Sequence, residues 1–145
     1  MLEISAALFD ATYNVLRQCG GKERECQVLW LSAPPAPNTI VAIRHSKHFS
    51  DEYGLEVDSA WLTSLWIELA RTGQSVRAQV HTHGGKPFHS KTDDDFPIVG
   101  TPGFVSIVIP YFARVHPDVE RLYVTAIAPQ GGWIELQPLE AILVT

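Results

Sequence analysis

The chain has 145 residues, the length of one ordinary domain, so we expect residues 1–145 to form a single domain. Its hydrophobic share of 46% and charged share of 19% are typical of a globular protein with its own core. The net charge of −5 argues against a nucleic-acid partner or an anionic membrane surface, because both select clustered lysine and arginine. The sequence has no apolar run near the roughly 18 residues of a membrane span and no signal-peptide pattern, which favours a cytoplasmic protein.

Hydrophobic periodicity predicts two clear helices and a set of strands along the chain. The helices cover residues 4–18 and 59–72, and the strands cover residues 25–31, 39–45, 75–82, 104–110, 121–128 and 133–137. We expect the proline-rich residues 33–38 to form a loop, since proline cannot continue a paired strand. The apolar segment 139–145 fits either a surface of the sheet or a dimer contact. These elements predict an α+β domain with a mixed, curved sheet of about six strands, flanked by two or three helices.

Two cysteines, Cys19 and Cys26, lie seven residues apart in the first part of the chain. Their spacing is neither that of a CxxC pair nor that of a disulfide framework. We therefore predict two reduced thiols, as in most cytosolic proteins.

The predicted strand 75–82 ends in two histidines, His81 and His83. Successive side chains of a strand point to opposite faces, so these two residues lie on the same face if the strand continues to residue 83. Two neutral imidazoles at this spacing are natural ligands for zinc, which takes four N, O or S donors in a tetrahedron.

A third ligand is expected from the polar segment that follows the histidines. Ser90 and Asp93 would face the same point in space if residues 90–97 begin a helical turn. His81, His83 and Asp93 together with one water would form the open three-ligand site that zinc takes in hydrolases. The same serine and aspartate also fit a capping box without any metal, and the two roles are compatible for Ser90.

Zinc hydrolysis also requires a proton acceptor for the attacking water, and a carboxylate serves well. Glu25 begins an apolar strand after a polar turn, which makes it the candidate base. The alternative is that Glu25 is an exposed charge at a strand end, like its neighbour Glu23.

The combined pattern resembles the JAMM signature of the JAB/MPN metalloprotease family. It consists of Glu25 before an apolar strand, His81 and His83 one residue apart, and then Ser90 and Asp93 three residues apart. The order of elements resembles the family as well. The resemblance implies a zinc-dependent peptidase or isopeptidase in which the two histidines and Asp93 hold one Zn²⁺. It further implies that Glu25 is the general base and that Ser90 stabilises the oxyanion.

The chain departs from the family pattern at several positions. Gly84 and His89 stand where the family often has proline, and residues 27–32 lack the usual small residues. All the implied ligands are kept, so we expect an active enzyme. His89 could replace Asp93 as a ligand, although a position in the substrate groove or on the surface fits it better.

The resemblance implies a substrate that is a ubiquitin-like protein or its conjugate, with its activating and conjugating enzymes as further partners. Residues 44–58 and 95–106 are the segments expected to contact its extended tail, with Phe49 and Tyr53 as exposed contacts. We expect His45 and His48 to be ordinary loop histidines. Two alternatives stay open: a peptidase that processes sulfur-carrier proteins, and a metal-free scaffold that binds partners. The short loops resemble those of prokaryotic family members.

Overall fold

A single large sheet dominates the computed structural model, which describes residues 1–20, 23–51, 54–85, 98–116 and 118–145. Within these residues the strands are β1 Leu2–Ile4, β2 Gln27–Ala33, β3 Ala36–His45, β4 His48–Asp51, β5 Gly54–Val57, β6 Ser75–Thr82, β7 Val105–Ile109, β8 Tyr123–Ile127, β9 Trp133–Leu136 and β10 Ile142–Val144. The α-helices are α1 Ala6–Cys19, α2 Ser59–Thr72 and α3 Pro138–Ala141. Two single 3₁₀ turns cover Tyr111–Ala113 and Val119–Arg121.

The main sheet has eight strands in the order β10-β1-β3-β2-β6-β7-β8-β9. The β6–β7 pair and both pairs made by β1 are parallel, and the other pairs are antiparallel. Strands β4 and β5 form a separate antiparallel hairpin. The expected α+β class with a mixed sheet is confirmed, although the sheet has more strands than the six that periodicity predicted.

The two faces of the sheet bury two different helices. Helix α1 packs one face with Phe9, Tyr13 and Leu16, against a core that includes alternate residues of the central strands. Helix α2 covers the other face with Leu65 and Leu69. This arrangement buries both faces of β2 and β6, which explains why nearly every residue of β2 is inaccessible to solvent.

Helix α2 is the element that periodicity predicted best, since it covers residues 59–72 as expected. The Asp58 side chain accepts a hydrogen bond from the Trp61 N–H at 2.8 Å and caps the helix, which ends at Gly73 in the left-handed region. Trp66 of this helix is 37% exposed and therefore lies at the margin of the core. Leucines at other positions of the helix fill the core instead.

The strands that the sequence pattern did not predict are short. β1 and β10 have three residues each and pair with each other in parallel, so tertiary pairing rather than local pattern defines them. The segment 139–145 thus packs on the sheet through α3 and β10. The proline-rich segment is shorter as a loop than expected, because only Pro34 and Pro35 form the turn and β3 already begins at Ala36.

The prediction of two reduced thiols is wrong in this structure, where Cys19 and Cys26 form a disulfide. Cys19 is the last residue of α1, and Cys26 directly precedes β2. Because α1 packs against the sheet, the two sulfurs come together, which the local sequence pattern does not indicate. Among the described residues, no helix is long and apolar enough to cross a membrane.

Candidate metal centre

The two histidines of the predicted site lie at the carboxyl end of β6. His81 pairs with Gln27 of β2 on one side and with Val108 of β7 on the other, and His83 follows directly after the strand. Both side chains are buried, at 3% and 5% exposure. Burial of two adjacent imidazoles requires partners for their ring nitrogens, so this strand end is suited to a specific function.

The imidazoles converge on each other as the strand alternation predicts. Their Nε2 atoms lie 3.2 Å apart, with ring centroids at 5.1 Å. Two nitrogens bound to one zinc at about 2.0 Å would be separated by about 3.3 Å in a tetrahedron. One Nε2–H can also donate to the other ring. The observed distance between the two Nε2 atoms therefore fits two ligands of one tetrahedral zinc without rearrangement.

Glu25 lies beside this pair of histidines. Its Oε1 atom is 3.9 Å from Nε2 of His83, and its side chain is 25% exposed. The backbone next to it is fixed, because the Cys26 N–H donates to Thr82 Oγ1 at 2.9 Å and the Thr82 N–H donates to the Cys26 carbonyl at 3.0 Å. The carboxylate is therefore held within reach of both the imidazoles and solvent.

Ser90 and Asp93 lie outside the described residues, as does His89. The third zinc ligand, the oxyanion donor and the role of His89 therefore stay predictions from the sequence. The described geometry brings together three of the five expected site residues, namely Glu25, His81 and His83.

A left-handed turn, Tyr111–Ala113, packs against the end of the histidine strand. Its three residues all have φ between 52° and 57°, a region that costs energy for residues other than glycine. The Phe112 N–H donates to the His83 carbonyl at 2.8 Å, and a Cβ at Gly84 would lie 2.7 Å from the Phe112 ring. This contact gives a reason for glycine at position 84. Sequence reasoning missed the turn, since its residue types give no signal for positive φ.

His45 and His48 are more than loop histidines, because each contacts a sulfur of the disulfide. Burial lowers the pKa of His45. Burial also lowers the pKa of His48, with a smaller opposing effect from its hydrogen bond to the Ser46 carbonyl. Phe49, in the adjoining hairpin, is 65% exposed as expected for a contact residue. Tyr53, the other expected contact, lies outside the described residues.

Comparison with known proteins adds a sequence relative. The chain is 29% identical over 126 residues to a protein of Sinorhizobium fredii named "Probable metalloprotease y4jG", which covers 83% of this chain and 78% of that protein. No protein-family model matches the chain.

Three solved structures share the fold across nearly the whole chain. Protein DSY2949 of Desulfitobacterium hafniense has a TM-score of 0.70 at 13% identity, covering 100% of this chain and 93% of that one. A Salinibacter ruber protein has a TM-score of 0.63 at 18% identity, covering 99% and 92%. The third is AF2198 of Archaeoglobus fulgidus, a JAB1/MPN domain protein, with a TM-score of 0.51 at 14% identity, covering 98% and 97%. The chain has the JAB/MPN fold, and its resemblance to that family is confirmed.

Within the JAB/MPN fold of this chain, the motif residues occupy one end of the central strands. Glu25 precedes β2, and His81 and His83 end β6, the strand that pairs with β2. The antiparallel pairing explains how residues more than fifty positions apart become neighbours. The two buried nitrogens supply two donors that fit a divalent metal such as zinc, and the Glu25 carboxylate lies beside them.

Proposed function

We propose that this protein is a zinc-dependent peptidase that cleaves the bond following the C-terminal tail of a ubiquitin-like protein. The observation that carries the proposal is the convergence of three groups: the Nε2 atoms of His81 and His83 at 3.2 Å, and the Glu25 carboxylate at 3.9 Å from the latter. The relative named as a metalloprotease and the JAB/MPN fold support hydrolysis of a peptide or isopeptide bond.

His81, His83 and Asp93 would hold the metal, which when bound lowers the pKa of a water and polarises the scissile carbonyl. Glu25 would accept the proton of the attacking water at its carboxylate. The same carboxylate, now protonated, would pass that proton to the departing nitrogen, so Glu25 ends the cycle as it began. The Ser90 hydroxyl would donate a hydrogen bond to the developing oxyanion.

The position of Glu25 suits this proton transfer. A base that takes a proton from a water molecule must face the space that this water enters, and the side chain keeps 25% of its surface exposed. The histidines beside it are buried, which excludes bulk water from the ligand side of the centre. Glu25 is therefore placed at the boundary between the buried centre and solvent.

The hairpin β4–β5 is the proposed contact for an extended substrate tail. It is paired within itself and lies outside the main sheet, so its outer edges can pair with an added extended chain. Phe49 projects from it with 65% of its surface exposed. A thin tail without bulky side chains fits this mode of binding, which supports a ubiquitin-like protein as the substrate.

The first experiment measures zinc per chain by elemental analysis, with the Cys19 and Cys26 pair oxidised. Wild type is expected to hold about one zinc, and Asp93→Ala and His83→Ala much less. His116→Ala is the matched control, because His116 is a half-exposed histidine paired with Asp10 on the surface, and it should keep the metal. Equal zinc in wild type and Asp93→Ala would remove this aspartate from the ligand set.

The second experiment measures cleavage. A ubiquitin-like protein extended beyond its C-terminal glycines is incubated with zinc-loaded wild type and with Asp93→Ala. We expect processing by wild type alone, and much slower cleavage of a short peptide of the same tail sequence. Cleavage of the peptide at the rate of the whole protein would contradict the assigned substrate class, while leaving the peptidase assignment intact.

A further inference from the structure

A second group of side chains that can bind a metal lies near the candidate centre but shares no residue with it. Among the described residues, Cys19, Cys26, His45 and His48 bring four ligand atoms within 4.8 Å of one another. They come from the end of α1, the residue before β2, the end of β3 and the start of β4. Four separate elements thus meet at this Cys–His cluster.

Two sulfur–nitrogen distances in the Cys–His cluster match edges of a tetrahedral zinc site. Nε2 of His45 lies 3.2 Å from Sγ of Cys26, and Nε2 of His48 lies 3.6 Å from Sγ of Cys19. A zinc with sulfurs at about 2.3 Å and nitrogens at about 2.0 Å has a sulfur–nitrogen edge of about 3.5 Å. The two sulfurs, which are bonded to each other, would have to separate.

The hydrogen bonds of His48 favour the tautomer in which Nε2 carries no proton. Its Nδ1 lies 2.9 Å from the Ser46 carbonyl, which can only accept, and 3.0 Å from the Ser46 hydroxyl, so a hydrogen on Nδ1 suits both contacts. The Ser46 hydroxyl in turn donates to the Gln27 carbonyl at 3.3 Å. Nε2 of neutral His48 therefore presents a lone pair to Cys19, whose sulfur has no hydrogen in the disulfide. This is the orientation that a hydrogen bond to a carbonyl gives to a metal-binding histidine.

We propose that Cys19, Cys26, His45 and His48 form a structural Cys₂His₂ zinc site in the reduced protein, and that the disulfide is its oxidised, metal-free state. A dithiol reductant donates two electrons and two protons to the disulfide and becomes a disulfide itself, leaving two protein thiols. Zinc binding then releases both thiol protons, and two thiolates and two neutral imidazoles complete the tetrahedron. Sulfur and nitrogen donors in this combination select zinc.

This site would hold the segment that carries the candidate base. Cys26 follows Glu25 directly, and it exchanges two backbone and side-chain hydrogen bonds with Thr82, which lies between His81 and His83. Cys26 belongs to the core on the α1 face of the sheet. Side chains alternate along a strand, so Gln27 and its partner His81 point to the opposite face. The two centres therefore lie on opposite faces of the sheet at the same strand ends. The structural zinc would fix the backbone that carries Glu25.

The test counts metal ions in chains reduced by a dithiol without oxygen, freed of metal by a chelator and then supplied with zinc. Reduced wild type and His116→Ala are expected to bind about two zinc ions, and Cys19→Ser and His48→Ala about one. Disulfide-bonded wild type is expected to bind about one. Asp93→Ala should keep the zinc of the Cys–His cluster, so failure of the catalytic assignment and failure of this proposal give different results.

Cobalt provides a readout that does not depend on activity or on zinc counts. Only a thiolate-bound cobalt gives sulfur-to-metal charge-transfer absorption, and the histidine–aspartate centre contains no thiolate. We expect this absorption in reduced Asp93→Ala and its loss in Cys19→Ser, with circular dichroism confirming that both variants are folded. Its absence from folded, reduced Asp93→Ala, or equal zinc in reduced wild type and Cys19→Ser, would overturn the proposal.

Discussion

His83 owes its position to backbone contacts on both sides. Its N–H donates to the Ile109 carbonyl at 3.0 Å, and its carbonyl accepts from Phe112 at 2.8 Å. β7 and the Tyr111–Ala113 turn thus fix the residue after the strand ends, and the ring needs no flexible loop to aim it at His81. Such fixed donors lose little entropy when they bind a ligand.

Replacement of Glu25 by glutamine tests its role as a base. The amide keeps the shape of the side chain but cannot accept the proton, so we expect kcat to fall by about 100-fold or more while zinc stays bound. The matched control is Glu23→Gln, because Glu23 is an exposed glutamate that pairs with Arg114 at 3.0 Å. Turnover of Glu25→Gln near the wild-type rate would show that another group takes the proton.

Substitution of Gly84 by alanine tests the contact with Phe112. The added Cβ would lie 2.7 Å from the ring, so the ring or the strand end must shift, and we expect a loss of about 1–3 kcal/mol in the free energy of unfolding. The control is Gly85→Ala, where an added Cβ meets nothing within 4 Å. Thermal unfolding gives the comparison. Similar stabilities of the two alanine variants would contradict the packing argument.

At the scale of elements, length decides what periodicity can predict. Helix α2 and strand β6 have 14 and 8 residues, and their hydrophobic patterns predicted both elements with the correct boundaries. β1 and β10, of three residues each, exist because each gives the other a hydrogen-bonding partner. Their local sequence contains no such information, so strands this short are found only once the tertiary pairing is known.

The β4–β5 hairpin gives a prediction about substrate affinity. Phe49→Ala removes an exposed aromatic contact, and we expect KM for a ubiquitin-like substrate to rise about fivefold or more with kcat little changed. Ile67→Ala is the matched control, since Ile67 is a large apolar residue that is exposed on α2 and not on the hairpin. Steady-state kinetics on both variants makes the comparison. An unchanged KM for Phe49→Ala would remove the hairpin from the substrate contact.

At the scale of the molecule, the candidate site could be predicted only in part. His81 and His83 follow from strand alternation, which is local, whereas the choice of Glu25 required the family resemblance. The Cys–His cluster was missed because its members lie on four elements, and the spacing of Cys19 and Cys26 in sequence does not show that α1 returns them to the same point. Contacts of this kind, between residues on separate elements, can be identified only once the fold is known.

The parallel pairing of β1 with β10 has a consequence for the order of folding. Leu2 pairs with Ile142, and β1 otherwise makes a single registered pair with β3. During synthesis β1 can complete its hydrogen bonds only after residues 142–144 have left the ribosome. Strands β2, β3 and β6 can pair before that. Such a late, non-local closure carries a large loop-closure entropy. Among the described strands of the main sheet, we expect β1 to complete its pairing after β2, β3 and β6.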